Sequence, residues 1–495
     1  MKIMKKYISI LVVSVLGCVA FASQKAIVKT YPAPRSELAY SQYIVTVNGK
    51  PVDIYRAYSP QHHIHTGADY YFCSFDFEGE VEVVVKSRTG WGIYVPYWVT
   101  DPAEIKRMQS TLMSEVFPSN LNAERTPETV KIKQNKPFKA VVMRNGIVKP
   151  LIIFANPLEK NVPDKNDPNV IYFGAGVHHL DKPIALKDNQ TLYLEGGAVV
   201  KFDCPENRVF SATNAKNVSI RGRGIVSFDN RGRFMNRCLI IEKCKDVFIE
   251  GIVIRDGNNW MFDIRNSDNV LVDNFKICGS RMINDDAIDI CNSTNVTIKN
   301  TFCRAQDDII AIKGMKRPDS TKPVENIYIE NCMFWTDAAN IFRIGYECDA
   351  PYFKNIKCKD IYVPFYSRYV KPTEYWSHAV VWLQPTSRMT ISDFEIDGLY
   401  IRSNGEDMPL LIAEPRKVYH DPDMGCIENC TIKNVVVEGK KGNFRGEVWV
   451  RGKSQKYYAK DITVENAVYF GKKKTADDKD VFIGDFTENI NIFKK

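Results

Sequence analysis

The stretch Asn284-Asp285-Asp286-Ala287-Ile288-Asp289-Ile290 is followed closely by Gln306-Asp307-Asp308-Ile309-Ile310-Ala311-Ile312. A shift of 22 residues lays Asp285-Asp286 on Asp307-Asp308, Ile288 on Ile310 and Ile290 on Ile312. That shift is about one coil of a parallel β-helix, whose coils stack as strands ~4.8 Å apart. The repeat therefore sets one pair of carboxylates directly over another. Acids crowded in this way repel one another and raise at least one pKa. A fold gains little from such an arrangement. Acid–base cleavage of a sugar linkage does gain from it, because it needs one protonated and one ionised carboxyl across the bond.

Working outward, a short unit recurs: Asn or Asp, a β-branched residue, any residue, a β-branched residue or Leu, any residue, then Gly or Asn. It stands at Asn217, Asp246, Asn269, Asn295, Asn326 and Asp461, and faintly at Asn489. The central copies are 23, 26 and 31 residues apart. Alternating residues turn inward and outward, and Asn and Gly make the corners. Helical periodicity is almost absent. The expected fold is all-β: a right-handed parallel β-helix over residues 161–495, with insertions bulging from one face.

Aligning the coils on their inward residues gives ladders. Phe262, Ile288, Ile310 and Phe342 share one inward row, and Ile264, Ile290, Ile312 and Ile344 the next. Between them run Asp263, Asp289, Ala311 and Arg343. Two residues before the first inward row stand Trp260, Asp286, Asp308 and Asn340. The carboxylates thus occupy two neighbouring coils, capped by Trp260 on one side and by Asn340 and Arg343 on the other. An aspartate ladder with a structural purpose would recur in many coils, whereas a local cluster of perturbed acids marks a site. Strict alternation would turn Asp286 and Asp308 inward with Ile288 and Ile310. Both must instead lie at a corner to reach solvent.

Residues 23–160 have a different texture. Strand-like runs at Tyr43–Val47, Tyr70–Asp76, Val81–Val85, Gly92–Val99, Thr129–Lys133, Phe138–Met143 and Leu151–Phe154 are separated by turn residues. They predict a small antiparallel β-sandwich, with Pro157–Asn169 as linker. His62, His63 and His65 have no carboxylate or cysteine spaced to join them as ligands and read as surface histidines. Neither a metal nor a cofactor is expected.

The N-terminus has an export pattern: a basic Met1–Lys6, an apolar Tyr7–Val19 and a small-x-small site at Ala20-Phe21-Ala22. This predicts a signal peptide over residues 1–22, with Cys18 after Val15-Leu16-Gly17 as a competing lipid-anchor site. No other stretch is apolar enough to span a membrane. Formal net charge is +8 and falls by three without Lys2, Lys5 and Lys6 of the leader. No basic helix or long Lys/Arg run points to nucleic acid. Cys238, Cys278, Cys291, Cys303, Cys332 and Cys358 sit among apolar strand residues and read as small buried hydrophobes. Cys426 and Cys430 are the nearest plausible disulfide pair.

At its acidic repeat the chain resembles the polygalacturonase-type glycoside hydrolases and their dextranase and isopullulanase relatives. The family pattern Asn-Thr-Asp-Gly-Ile-Asp meets Asn284–Asp289, and Gln-Asp-Asp-Cys-x-Ala meets Gln306–Ala311. The resemblance implies a right-handed parallel β-helix that hydrolyses a polysaccharide or oligosaccharide with inversion. It implies Asp307 as general acid, with Asp286 and Asp308 activating the water. The N-terminal β-domain looks more like the dextranase branch than the pectin branch. The family's Gly-His-Gly-x-Ser-Ile-Gly meets Ala339–Gly345, with Asn340 in place of histidine. Its Arg-x-Lys pair has no match, and the nearest strand offers Trp382 and Gln384. Lys313, Arg343 and Lys371 are candidates to grip an anionic group, and His378 to stand in for the histidine. Trp260, Trp335, Tyr346 and Trp376 are candidates to stack on sugar rings, and Asp289 lines the same surface. Two other classes suit the same residues. One is a calcium-dependent polysaccharide lyase, in which the aspartates hold the ion and Lys313 or Arg343 is the base. The other is a non-catalytic carbohydrate-binding solenoid.

Overall fold

The computed structural model describes residues 26–58, 69–88, 90–91, 99–144, 149–202, 208–228, 237–257, 259–280, 284–315, 322–367, 378–387, 389–417 and 423–494. The export segment with Cys18, the histidines at 62, 63 and 65, all but the last residue of the strand expected over Gly92–Val99, and Lys371 and Trp376 lie outside these residues.

Two sheets form the N-terminal part. One joins Ile27–Thr30, Ile54–Tyr58, Asp69–Glu78, Leu151–Pro157, Phe138–Arg144 and Ser114–Phe117; the other joins Lys50–Val52, Tyr43–Val47, Val81–Ser87, Thr129–Gln134 and Glu124–Arg125. Most pairings are antiparallel, but Leu151–Pro157 lies parallel to Asp69–Glu78. Inward residues of both sheets, among them Val45, Val83, Ile132, Phe75, Val142 and Ile153, share one apolar core, the sandwich arrangement that alternation predicts. A helix at Pro102–Ser110 was not expected. Asp101 caps it by accepting from the Ala103 N–H, and Pro102 stands where no N–H is needed.

From Val170 onward the chain winds as a right-handed parallel β-helix. Among the described residues its strands fall into sheets of 19 and 11, with parallel pairing from coil to coil. A continuous apolar core runs from Leu186 to Phe493. The recurring asparagine is a corner residue with positive φ, 55° at Asn269 and at Asn295 and 57° at Asn326, a conformation Asn tolerates well. Each corner also bonds to the next: Asn326 Nδ2 donates to Asn295 Oδ1 at 3.0 Å, and Asn355 Nδ2 to Asn326 Oδ1 at 2.6 Å. The repeat that announces the fold is thus a ladder of backbone corners. All described cysteines are free and, apart from half-buried Cys426, buried; Cys426 and Cys430 each donate to a backbone carbonyl instead.

The N-terminal sheet docks on the side of the solenoid through a second apolar cluster, in which Tyr70, Phe72 and Phe154 meet Cys278, Phe302 and Trp335. Trp335 is therefore fully buried and unavailable to a sugar ring. Its place is structural: the Arg304 guanidinium lies 4.2 Å from both the Tyr70 and Trp335 ring centres. The docking also carries charge. Arg223 reaches Asp76 at 3.0 and 2.9 Å and Glu250 at 2.7 Å, all buried or nearly so. Arg223→Met leaves two acids facing a low-dielectric seam. It is expected to cost about 3–5 kcal/mol, the scale for breaking a buried pair, read as a lower urea midpoint.

Candidate active site

Register places the acidic repeat as the sequence suggests. Ile288 pairs with Ile310, and Asp289 with Ala311. Asp263 precedes Asp289 in that outer row, and Arg343 and then Trp382 continue it. Asp286 and Asp308 occupy one-rung neighbours: the Ala287 N–H donates to the Asp308 carbonyl at 2.8 Å, and the Ile309 N–H to the Asn340 carbonyl at 3.0 Å. Both residues lie in the turn just before their strands. The corner breaks alternation there, so neither carboxylate enters the apolar core.

The two members of each Asp-Asp pair have different jobs. Asp285 is fully buried, and its Oδ1 accepts from the N–H groups of Gln306 and Asp307 at 3.0 and 2.9 Å. It braces one acidic turn from the other. Asp307 is half-buried, and its carbonyl accepts from Thr336 Oγ1 at 3.0 Å. Its own Oδ1 accepts from the Asp308 N–H at 3.0 Å. Burial, with repulsion from Asp286 and Asp308, lifts the Asp307 carboxyl well above the usual carboxylate range. Asp308 Oδ1 accepts from the Asn340 backbone N–H at 3.2 Å and from its Nδ2 at 2.6 Å.

Lys313 changes the picture most. Its ammonium lies 2.7 Å from Asp286, 2.9 Å from Asp289 and 3.3 Å from Glu347. It also lies 3.6 Å from the centre of the Trp260 ring. Burial favours its neutral form, but the three carboxylates outweigh burial and hold the ammonium well above its usual range. Burial in turn raises the Asp286 carboxyl, with Lys313 pulling it back and Asp308 pushing it up. Two expectations are corrected here. Lys313 is buried as the internal counter-ion of three acids, not a cation presented to substrate. Trp260 is also buried, with Lys313, Arg237 and Arg265 over its ring, so its face is occupied.

Glu347 escaped the sequence reading because of a local slip. Gly314 pairs with Cys348 instead of Tyr346, so extra residues bulge from the strand. Gly345, at φ 107°, permits this, since a Cβ there would stand 2.1 Å from the Gln384 carbonyl oxygen. Tyr346 follows at φ 76°, an uncommon conformation for an aromatic residue. The bulge sets the Tyr346 ring 4.5 Å from the Arg343 guanidinium, with Trp382 on the same guanidinium at 4.0 Å. His378 lies at the edge, its Nδ1 3.5 Å from Asn340 Nδ2, while the Ala379 N–H donates to Asn340 Oδ1 at 2.8 Å. The structure thus brings together Asp286, Asp289, Asp307, Asp308, Lys313, Asn340, Arg343, Tyr346 and His378. Arg237 and Arg265, also missed by the sequence reading, both bind Asp263.

A right-handed β-helix bearing one local cluster of acids on its outer face is the class that fold and site define. Residues 185–337 match the family model described as glycosyl hydrolases family 28, a span that includes both aspartate motifs. Similar solved structures include Dex49A from Penicillium minioluteum, with a TM-score of 0.60 and 13% identity over 94% of this chain and 96% of that one. A family 28 exopolygalacturonase of Yersinia enterocolitica matches with a TM-score of 0.50 and 12% identity over 95% and 97% of the two chains. At such identities these likenesses show the fold. No curated protein matches the chain. The resemblance expected from the two motifs is therefore found, and a glycoside hydrolase acting on polysaccharide is the class it supports. Among the described residues no helix is long and apolar enough to cross a membrane.

Lys313→Met leaves Asp286, Asp289 and Glu347 without their cation. A loss of about 3–5 kcal/mol is expected at neutral pH. Acid protonates the abandoned carboxyls, so the gap to the parent chain should narrow between pH 7 and pH 4.5 in urea titrations.

Proposed function

We propose that the chain hydrolyses glycosidic bonds of a polysaccharide by single-displacement acid–base catalysis with inversion. Asp307 gives its proton to the leaving oxygen. Asp286 and Asp308 take a proton from the attacking water. The observation that carries this reading is the contrast between Asp307 and Asp286. Among the described residues Asp307 has two carboxylate neighbours and no ion pair, and burial with their repulsion lifts its carboxyl well above the usual range. Asp286 is charge-paired with Lys313 at 2.7 Å, an ion pair that pulls its carboxyl back against the rise caused by burial. An inverting enzyme needs its acid and base ~6.5–9.5 Å apart, a separation that one rung of ~4.8 Å plus lateral offset can supply.

Lys313 is a poor candidate for the base of a lyase, because three carboxylates hold it protonated. The reading also takes residues 23–160 as a supporting β-domain and 161–495 as the catalytic β-helix. Export, implied by the N-terminal segment, would let the enzyme meet its polymer outside the cytoplasm.

The test is a panel of neutral and acidic plant, algal and microbial glycans with products separated by chromatography. Hydrolysis in the presence of EDTA, with no absorbance from an unsaturated product, is expected. NMR of the first-formed product should show the anomer opposite to the cleaved linkage. Asp307→Asn and Asp308→Asn should each lower turnover by at least roughly 10². Asp289→Asn, which only loosens Lys313, should lower it less. Absence of turnover on every glycan, or an unsaturated product, overturns the reading.

A further inference from the structure

Among the described residues, three buried polar groups on neighbouring strands have no hydrogen-bond partner: Arg343 Nε, Trp382 Nε1 and Gln384 Oε1. Their residues are 7%, 3% and 3% exposed. A single orphaned donor is costly, and three side by side call for a partner from outside the chain. Register shows why they share a face. Arg343 pairs with Trp382 and Gly345 with Gln384. Their neighbours Phe342, Ile344, Val381 and Leu383 fill the core, so Arg343, Trp382 and Gln384 turn outward. Asp308 and Asp307 both act on the Arg343 charge, which puts the three groups on the side of the acid cluster. They begin one rung from Asp308 and end two rungs away, about 10 Å along the axis.

We propose that Arg343, Trp382 and Gln384 form a sugar subsite beside the acid cluster that takes an uncharged, hydroxyl-bearing sugar residue in preference to a uronate. The inference rests on the hydrolase reading and names the substrate class of that same site.

The chemistry of the orphaned atoms makes the choice. Trp382 offers a donor and Gln384 an acceptor. A hydroxyl accepts from one and donates to the other, whereas a carboxylate can only accept. The Tyr346 and Trp382 rings on Arg343 leave its Nε–H as a further donor to a hydroxyl or ring oxygen. Local charge points the same way. Asp308 and Asp307 act on the Arg343 charge, and Lys313 is already shared by Asp286, Asp289 and Glu347. A uronate placed here competes with acids that already engage both cations. Arg416, 5.3 Å from the Trp382 ring centre, is paired with Glu414 at 3.0 Å.

Binding is measured by calorimetry on the Asp307→Asn chain, with neutral α-glucan oligosaccharides and α-galacturonan oligosaccharides of equal length. The neutral ligand should bind at least about tenfold more tightly. Adding Trp382→Phe, which keeps a ring and removes the N–H, should weaken it about 3- to 10-fold, the scale of one lost hydrogen bond. Gln384→Met, which keeps the length and removes the acceptor, should do the same. Tighter binding of the galacturonan, no binding of the neutral ligand, or neutral binding unchanged in both variants overturns the subsite. Turnover is read separately on the parent chain. Neutral binding that responds to both variants while no glycan is cleaved supports the subsite and counts against the hydrolase reading alone.

Discussion

Neighbouring coils of a parallel β-helix are tied together by backbone hydrogen bonds at a spacing of ~4.8 Å, and side chains cannot relax it. Once Asp286 and Asp308 occupy the same row, the register fixes them one rung apart. At an effective dielectric of about 20, two unit charges at that distance repel by on the order of 3–4 kcal/mol. That is a large fraction of a typical folding free energy. The surroundings distribute the repulsion. Lys313 pairs with Asp286, Asn340 gives Asp308 two hydrogen bonds, and burial with its two acidic neighbours lifts the Asp307 carboxyl. Three chemically identical side chains thus sit in different surroundings: Asp286 faces a cation, Asp308 the Asn340 amide, and Asp307 the Asp308 N–H.

The two turns that carry the acids are also braced from behind. Asp285 holds the backbone of Gln306 and Asp307, and Thr336 donates to the carbonyls of both residues. Asp337, next in the chain, takes two hydrogen bonds from Arg304, which is clasped between Tyr70 and Trp335. Arg304 lies three residues before Asp307, and Asp337 three residues before Asn340. The N-terminal sandwich, through Tyr70, therefore presses on the strands just upstream of both turns. A positioned acid needs such support, because small displacements of a reacting group cost large factors in rate.

The rows of the solenoid were legible because period and hydrophobicity are set along the chain: aligning Ile288 with Ile310 and Phe342 recovers the observed register. The fates of polar side chains were less legible. Asp285 and Asp286 are adjacent and identical, yet one caps backbone N–H groups and the other faces a lysine. Only the corner geometry separates them. Trp335 sits in a plausible place for a sugar platform, but it faces the docked N-terminal sheet, a contact between distant parts of the chain. Lys313 reads as a surface cation because no sequence spacing shows three acids converging on it. One of those acids, Glu347, arrives through a bulge that breaks the very periodicity used to read the strands.

Asn340 shows how the site stands without the histidine expected at that place. A histidine offers one donor and one acceptor from a ring, whereas an asparagine amide offers two donors and an acceptor on one carbon. Here the amide donates to Asp308 and accepts from the Ala379 N–H. It thereby joins the Asp308 coil to the strand that carries Trp382 and Gln384. The link couples the acid cluster to the outer face beyond it, so the side chain that positions Asp308 also anchors the next strand. His378 lies at the rim of this bridge, its Nδ1 3.5 Å from Asn340 Nδ2. The substitution is therefore better described as moving a positioning contact from a ring to an amide than as the loss of one.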